Sequence, residues 1–230
     1  MFLPVIREIL VYFWYMLTVK AFTFNPVQEN TYILYNEEKD CIVVDPGCYF
    51  ENERNLLKAF ITDHQLAVRY LVNTHCHFDH VFGNRFVAET WKQSLVIHER
   101  ERLVLDYAPV SAAQFNLPFE NYEGEIVYIS EGDTIRLGAD QLQVLFTPGH
   151  APGHICLYNK EQQFVIGGDV LFRLSIGRTD LPGGNHNTLI RSIREKLFVL
   201  PDEVVVYPGH GGTTTIGFEK DNNPFLNEQM

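Results

Sequence analysis

From residue 17 onward, short apolar runs alternate with polar breaks, and the pattern predicts one strand after another. VKAFTFN, NTYILYN and CIVVDPG read as a β-meander, with residues 36–40 as a polar turn. Over 50–64, Leu56, Leu57, Phe60 and Ile61 recur at helical spacing and predict a helix. YLVN (70–73) and SLVIH (94–98) are further strands. The mixed stretch 99–124, with Pro109 and Pro118, predicts a short helix and a long loop. IVYI, TIRLG, LQVLFT, ICLYN and QFVIGG return to strands. Residues 188–200 form a helix, VVVYPG a last strand, and the tail from Gly211 is irregular. A β-run, a helix, a second β-run and a final helix imply two sheets packed face to face with helices outside.

The first 19 residues are the one membrane-like stretch, but Arg7 and Glu8 interrupt it. The apolar run that remains is too short for a bilayer core of about 30 Å. Trp14-Tyr15-Met16 is also the wrong chemistry for signal cleavage. Residues 1–15 read as an extension or a mis-set start, and 16–230 as a single domain. Composition supports a globular, cytoplasmic protein, with 46% hydrophobic and 20% charged residues. Eighteen basic against 29 acidic residues leave a net charge of −11, which argues against a nucleic-acid partner. Cys41, Cys48, Cys76 and Cys156 form no CxxC pair. Cys41 and Cys48 read as small reduced packing residues rather than a bridge.

Four strands end alike, in an apolar run, a sharp break and a residue able to bind metal. They are LVNT-His75, LFTPG-His150, FVIGG-Asp169 and VVVYPG-His210. Pro-Gly and Gly-Gly stop the chain abruptly and set the next side chain beside a strand end. The first opens a denser cluster, His75-Cys76-His77-Phe78-Asp79-His80. In extended chain, residues 75, 77 and 79 project to one side, so Cys76 and Phe78 pack away from them. His80 follows where the backbone should turn and faces the site from another direction.

Five histidines (75, 77, 80, 150, 210) and two aspartates (79, 169) are too many ligands for one tetrahedral ion. They suit two divalent ions sharing one carboxylate: zinc first, with iron, manganese or cobalt also compatible with imidazole and carboxylate. Such a pair lowers the pKa of a shared water to about 7 and stabilises an oxyanion, so hydrolysis is the default chemistry.

The run T-H-x-H-x-D-H-x-x-G over 74–83, with TPGH ending at His150, GD at Asp169 and PGH at His210, resembles the metallo-β-lactamase superfamily. Within it, the chain is similar to the glyoxalase II (hydroxyacylglutathione hydrolase)-like branch, from residue 17 to the end. The resemblance implies an α+β fold, a four-layer αββα sandwich with the metals at one edge. It implies that His75, His77 and His150 hold the first metal and Asp79, His80 and His210 the second. Asp169 then bridges, and Asp79 also orients the attacking water. His154 is implied to make a structural hydrogen bond. Asp45 either supports a ligand from behind or caps its own Pro-Gly turn. His64, His98 and His186 match nothing and are read as solvent-facing. Arg178 and Asp180, in GRTD, either touch substrate or pin their loop, and Ser175 lacks a nucleophile elbow. Direct substrate contacts are not assigned.

The implied reaction is hydrolysis of an acyl thioester, S-lactoylglutathione or a related small molecule, by a metal-bridging hydroxide. A β-lactamase is set aside here on His80 and Asp169, and an RNA-processing relative on the missing basic surface. The C-terminal helical domain that binds glutathione in full glyoxalase II is not seen, which loosens the tie to glutathione. The runner-up is a mononuclear-iron persulfide dioxygenase, which shares GRTD but carries Asp-Tyr where Gly211-Gly212 follow His210.

Overall fold

The computed structural model describes residues 16–227. The expected extension over 1–15 lies outside the described residues. Fourteen strands are formed among those described: β1 Thr18–Phe24, β2 Glu29–Tyr35, β3 Asp40–Val44, β4 Ala67–Val72, β5 Leu95–Ile97, β6 Ile126–Tyr128, β7 Thr134–Leu137, β8 Asp140–Phe146, β9 Ile155–Asn159, β10 Phe164–Gly168, β11 Leu171–Phe172, β12 Ser175–Ile176, β13 Val205–Pro208 and β14 Thr214–Thr215. Four helices lie in the first half: α1 Glu51–Asp63, α2 Phe78–Val81, α3 Asn84–Trp91 and α4 Arg102–Gln114. Three follow in the second: α5 His186–Ser192, α6 Ile216–Asn222 and α7 Pro224–Asn227.

The strands make two mixed sheets, in the orders β1-β2-β3-β4-β5-β6 and β14-β13-β10-β9-β8-β7, beside a small β11-β12 hairpin. The first sheet begins as the expected meander, antiparallel from β1 to β3, and then turns parallel through crossovers that carry α1, α3 and α4. Side-chain alternation divides each strand between two cores. Ile33, Cys41 and Val43 face the outer helices with Leu57 and Leu105. Their neighbours Leu34, Ile42 and Val44 meet Val144, Leu157 and Ile166 between the sheets. Leu145 and Val165 point outward against Leu189, Ile193 and Ile216. The result is the α+β sandwich, with a helical layer on either side of two sheets.

Several boundaries differ from the sequence expectation. The strand placed at 70–73 begins at Ala67. The helix in 99–124 is not short, for it runs 13 residues and passes through Pro109. Proline cannot bond the carbonyl four residues back. That carbonyl, of Leu105, instead accepts the Asn121 side-chain amide at 2.6 Å. The last helix starts earlier, at His186, where Asn185 caps it by accepting the Thr188 N–H at 2.9 Å. The tail is ordered into β14, α6 and α7 rather than irregular.

Candidate metal centre

Four strand ends at one edge of the sandwich carry the metal-binding residue types. His75 and His77 follow β4, His150 follows β8, Asp169 follows β10 and His210 follows β13. The route to Asp79 is not the extended one expected. The chain is extended only as far as His77 and then winds into α2, so Asp79 and His80 leave a helical turn and come back to the same space. Cys76 and Phe78 face the core on the other side. Gly209 makes the approach of β13 possible, because a Cβ there would fall on the Asp169 carboxylate and the His80 ring.

Three histidines form one group. His77 Nδ1 lies 2.8 Å from His150 Nε2, which lies 3.2 Å from His75 Nε2. A second group is Asp79, His80 and His210, with Asp79 Oδ2 at 3.1 Å from His210 Nε2 and 3.6 Å from His80 Nε2. Asp169 lies between them. Its Oδ2 is 3.5 Å from His150 Nε2 and 3.6 Å from His210 Nε2, and its Oδ1 is 3.5 Å from His80 Nε2.

The outer nitrogens decide which lone pairs face inward. Thr74 donates its hydroxyl proton to Asp45 Oδ2 at 2.6 Å, so its oxygen accepts from His75 Nδ1 at 3.1 Å. His150 Nδ1 donates to the Arg178 carbonyl at 2.8 Å, and His210 Nδ1 to that of Gln28 at 3.2 Å. His80 Nδ1 faces Asp45 Oδ2 at 3.2 Å. Four imidazoles therefore turn Nε2 inward; hydrogen bonds hold His75, His150 and His210 from behind as in metal-ligating histidines, and the Asp45 carboxylate faces His80 without one. His80 Nε2 and Asp169 Oδ1 are buried without a hydrogen-bond partner. Converging lone pairs and orphaned donor atoms of this kind fit divalent cations.

Charge separates the two groups. Burial and the neighbouring histidines hold His75 well below the usual imidazole range, and burial beside His150 brings His77 down to about 3. Burial also lowers His80, but Asp79 and Asp169 outweigh it and raise His80 well above its ordinary value. Burial raises Asp169 in turn, and His80 with His150 outweighs that and holds it low.

The sequence leaves Asp45 open between two roles. The N–H of its own turn, at Gly47, donates to Thr31 Oγ1, while its carboxylate accepts Thr74 N at 2.7 Å and faces His80. His154 accepts the Asp169 N–H at Nε2 (3.0 Å) and contacts Thr147 Oγ1 through Nδ1. Arg178 and Asp180 pair with each other at 2.7 and 2.8 Å on the exposed loop. Ser175 Oγ contacts only the Ile176 carbonyl, at 3.5 Å. His64 and His186 are exposed. His98 is not solvent-facing as expected, for it is buried, stacks on Phe146 at 4.5 Å and accepts the Arg100 N–H. Beside the histidines stand two further buried carboxylates that the sequence pattern does not reveal. Glu29 lies 3.9 Å from His80 Nδ1, and Glu101 joins the turns that carry the first histidine group. Both stand among polar neighbours in sequence, and only their burial distinguishes them. All four cysteines are free and buried. No helix among the described residues is long and apolar enough to cross a membrane.

The chain is 38% identical over 203 residues to the probable metallo-hydrolase YqgX of Bacillus subtilis, covering 88% of this chain and 94% of that protein. It is 36% identical over 208 residues to hydroxyacylglutathione hydrolase GloC of Haemophilus influenzae, with the same coverage. Its fold matches that of BLEG-1, described as a B3 metallo-beta-lactamase, with TM-score 0.84 and 35% identity over 91% of this chain and all of that one. TTHA1623, solved in a di-iron-bound form, matches with TM-score 0.80 and 36% identity over 90% of this chain and all of that one. The model of the metallo-beta-lactamase superfamily spans residues 24–210, and this chain belongs to that superfamily.

Proposed function

We propose that the protein hydrolyses acyl thioesters, S-lactoylglutathione or a related one, at a two-ion site. The observation that carries the reading is Asp169, whose carboxylate stands within 3.6 Å of nitrogens from both ligand groups. In this reading His75, His77 and His150 hold one ion, Asp79, His80 and His210 hold the other, and Asp169 touches both. Two divalent ions, zinc by preference, would supply Lewis acidity for the thioester carbonyl and a water acidified to a pKa of about 7. Asp79 would orient the attacking water, since its carboxylate lies 3.1 Å from His210 Nε2 and borders the space between the groups. His154 fixes the Asp169 backbone, and the Arg178 carbonyl fixes His150. The water oxygen forms the new C–O bond, the C–S bond breaks, and the thiol leaves with the proton.

The 36% identity to a hydroxyacylglutathione hydrolase supports the thioester. The 35% identity to BLEG-1 returns β-lactam cleavage to consideration as the second reading, although His80 and Asp169 had set it aside. One panel tests these readings beside the persulfide dioxygenase, with thioesters, a chromogenic cephalosporin and a persulfide offered to chelated, zinc-reloaded and iron-reloaded protein. Thioester turnover that chelation removes and zinc restores supports the proposal. Oxygen uptake with the persulfide and no thioester turnover would assign the chain to the dioxygenase, and turnover of the cephalosporin alone to the lactamases.

A further inference from the structure

Beside the first histidine group lies a groove of about 570 Å³ that the metal chemistry does not use. It begins at His77 and runs between α4 and the loop at Leu181 and Pro182. Leu103 and Val104 from α4 and Phe78 from α2 give it apolar walls. The size is that of a small-ligand site, and concave, mostly apolar walls are the usual composition of one. Leu103 is 79% exposed at its rim, and Tyr107 stands half-exposed one turn further along the same helix. Leu103 and Tyr107 are continuous with the apolar lining of the groove, and a contiguous exposed apolar patch of this kind marks an interaction or ligand site where a single exposed leucine would not.

Resting on the thioesterase reading, we propose that this groove holds the acyl chain of the substrate, and that the preferred acyl group is a linear apolar one of medium length. The groove meets the site at His77, so a chain lying in it would bring its carbonyl end to the ligand cluster. A glutathione moiety carries two carboxylates and suits this groove poorly. The cation in its lining, Arg100, lies over the Phe146 ring at 5.3 Å. Arg178, on the neighbouring loop, is occupied by Asp180. The apolar wall and the charged thiol therefore belong on opposite sides of the scissile bond.

The test uses zinc-loaded full-length protein and two series of substrates. In one, acetyl, butanoyl, hexanoyl and octanoyl groups are carried on N-acetylcysteamine. In the other, the acyl group stays acetyl and the thiol is lengthened. Burial of each methylene is expected to raise kcat/KM roughly threefold in the first series, mostly through KM, and to leave the second nearly flat. Leu103→Glu, a change at an exposed position, should cut the octanoyl-to-acetyl ratio by about tenfold or more. Leu56→Glu, on the exposed face of α1, controls for surface charge. Binding of octanamide, followed by NMR, gives a readout independent of turnover and should be lost in Leu103→Glu. A flat acyl series with good turnover, or a gain on the thiol side instead, overturns the assignment and leaves the hydrolase standing. No turnover of any thioester removes the hydrolase reading, and the acyl assignment with it. Octanamide binding that Leu103→Glu abolishes would in that case show an apolar site of other use.

Discussion

Glu101 Oε2 accepts the backbone N–H of Cys76 at 2.7 Å, in the residue between His75 and His77. Its other oxygen accepts the Gly153 N–H at 2.6 Å, in the turn between His150 and His154. One buried side chain thus ties together the two loops whose histidines form the first ligand group. Burial pushes its carboxyl up to about 7, against the two N–H groups that favour the ionised form.

Glu101→Gln keeps the shape but turns an amide NH2 toward one of these N–H groups. A buried donor left without an acceptor costs about 1–3 kcal/mol. Urea unfolding is expected to show a loss in that range. The protein should still fold, with fewer than the wild-type number of ions bound on the His75 side. Unchanged stability and unchanged metal content would show that the two loops do not depend on this carboxylate.

Asp140 gives a pH dependence of known sign. Burial, with Glu38 nearby, pushes its carboxyl up to about 6 from 3.8, and its Oδ2 has no partner. The folded state therefore favours the protonated form. That stability is full below pH 3.8 and is lost as pH rises through about 6. Asp140→Asn lacks the carboxyl, so it should melt a few degrees above wild type at pH 8 and with no such advantage at pH 4. An equal gap at both pH values would contradict the assignment.

The thiols offer a simpler check. Burial pushes Cys41, Cys48 and Cys156 up to about 12, and Cys76 well above its ordinary value. A thiol reagent at pH 7.5 should label none of them in the native protein and all four in guanidinium without reductant. Fewer than four after unfolding would mean a disulfide.

Much of this architecture was legible because turn residues mark strand ends. TPGH, VIGGD and YPGH each announce where a strand stops, and the next polar side chain lands at the sheet edge. Alternation along an extended chain points to Asp79 for the wrong local reason, since α2 brings it inward. Glu101 was hidden because ERERL (99–103) reads as surface charge, and Glu29 because its run reads as a polar strand start. Pro109 made α4 look short, since nothing local predicts that Asn121 would take the carbonyl that proline leaves free. His98 looked like a surface residue because Phe146, its stacking partner, lies 48 positions away in the chain.

Asp169→Ala and His80→Ala should separate the two proposed positions. Removing the shared carboxylate is expected to lower metal content at both, while removing His80 mainly empties the one it shares with Asp79 and His210. Neither change should unfold the sandwich, because both side chains lie at the edge of the sheets rather than between them. Metal analysis beside thermal melting reads this out, and selective loss at the same single position in both variants would contradict it.

Asp169 is proposed to serve two ions with one carboxylate. Anomalous diffraction from crystals of the zinc-loaded protein tests it most directly. Two peaks are predicted, one among His75, His77 and His150 and one among Asp79, His80 and His210, with Asp169 in contact with both. A single peak, with Asp79, His80 and His210 turned away from it, would contradict the account.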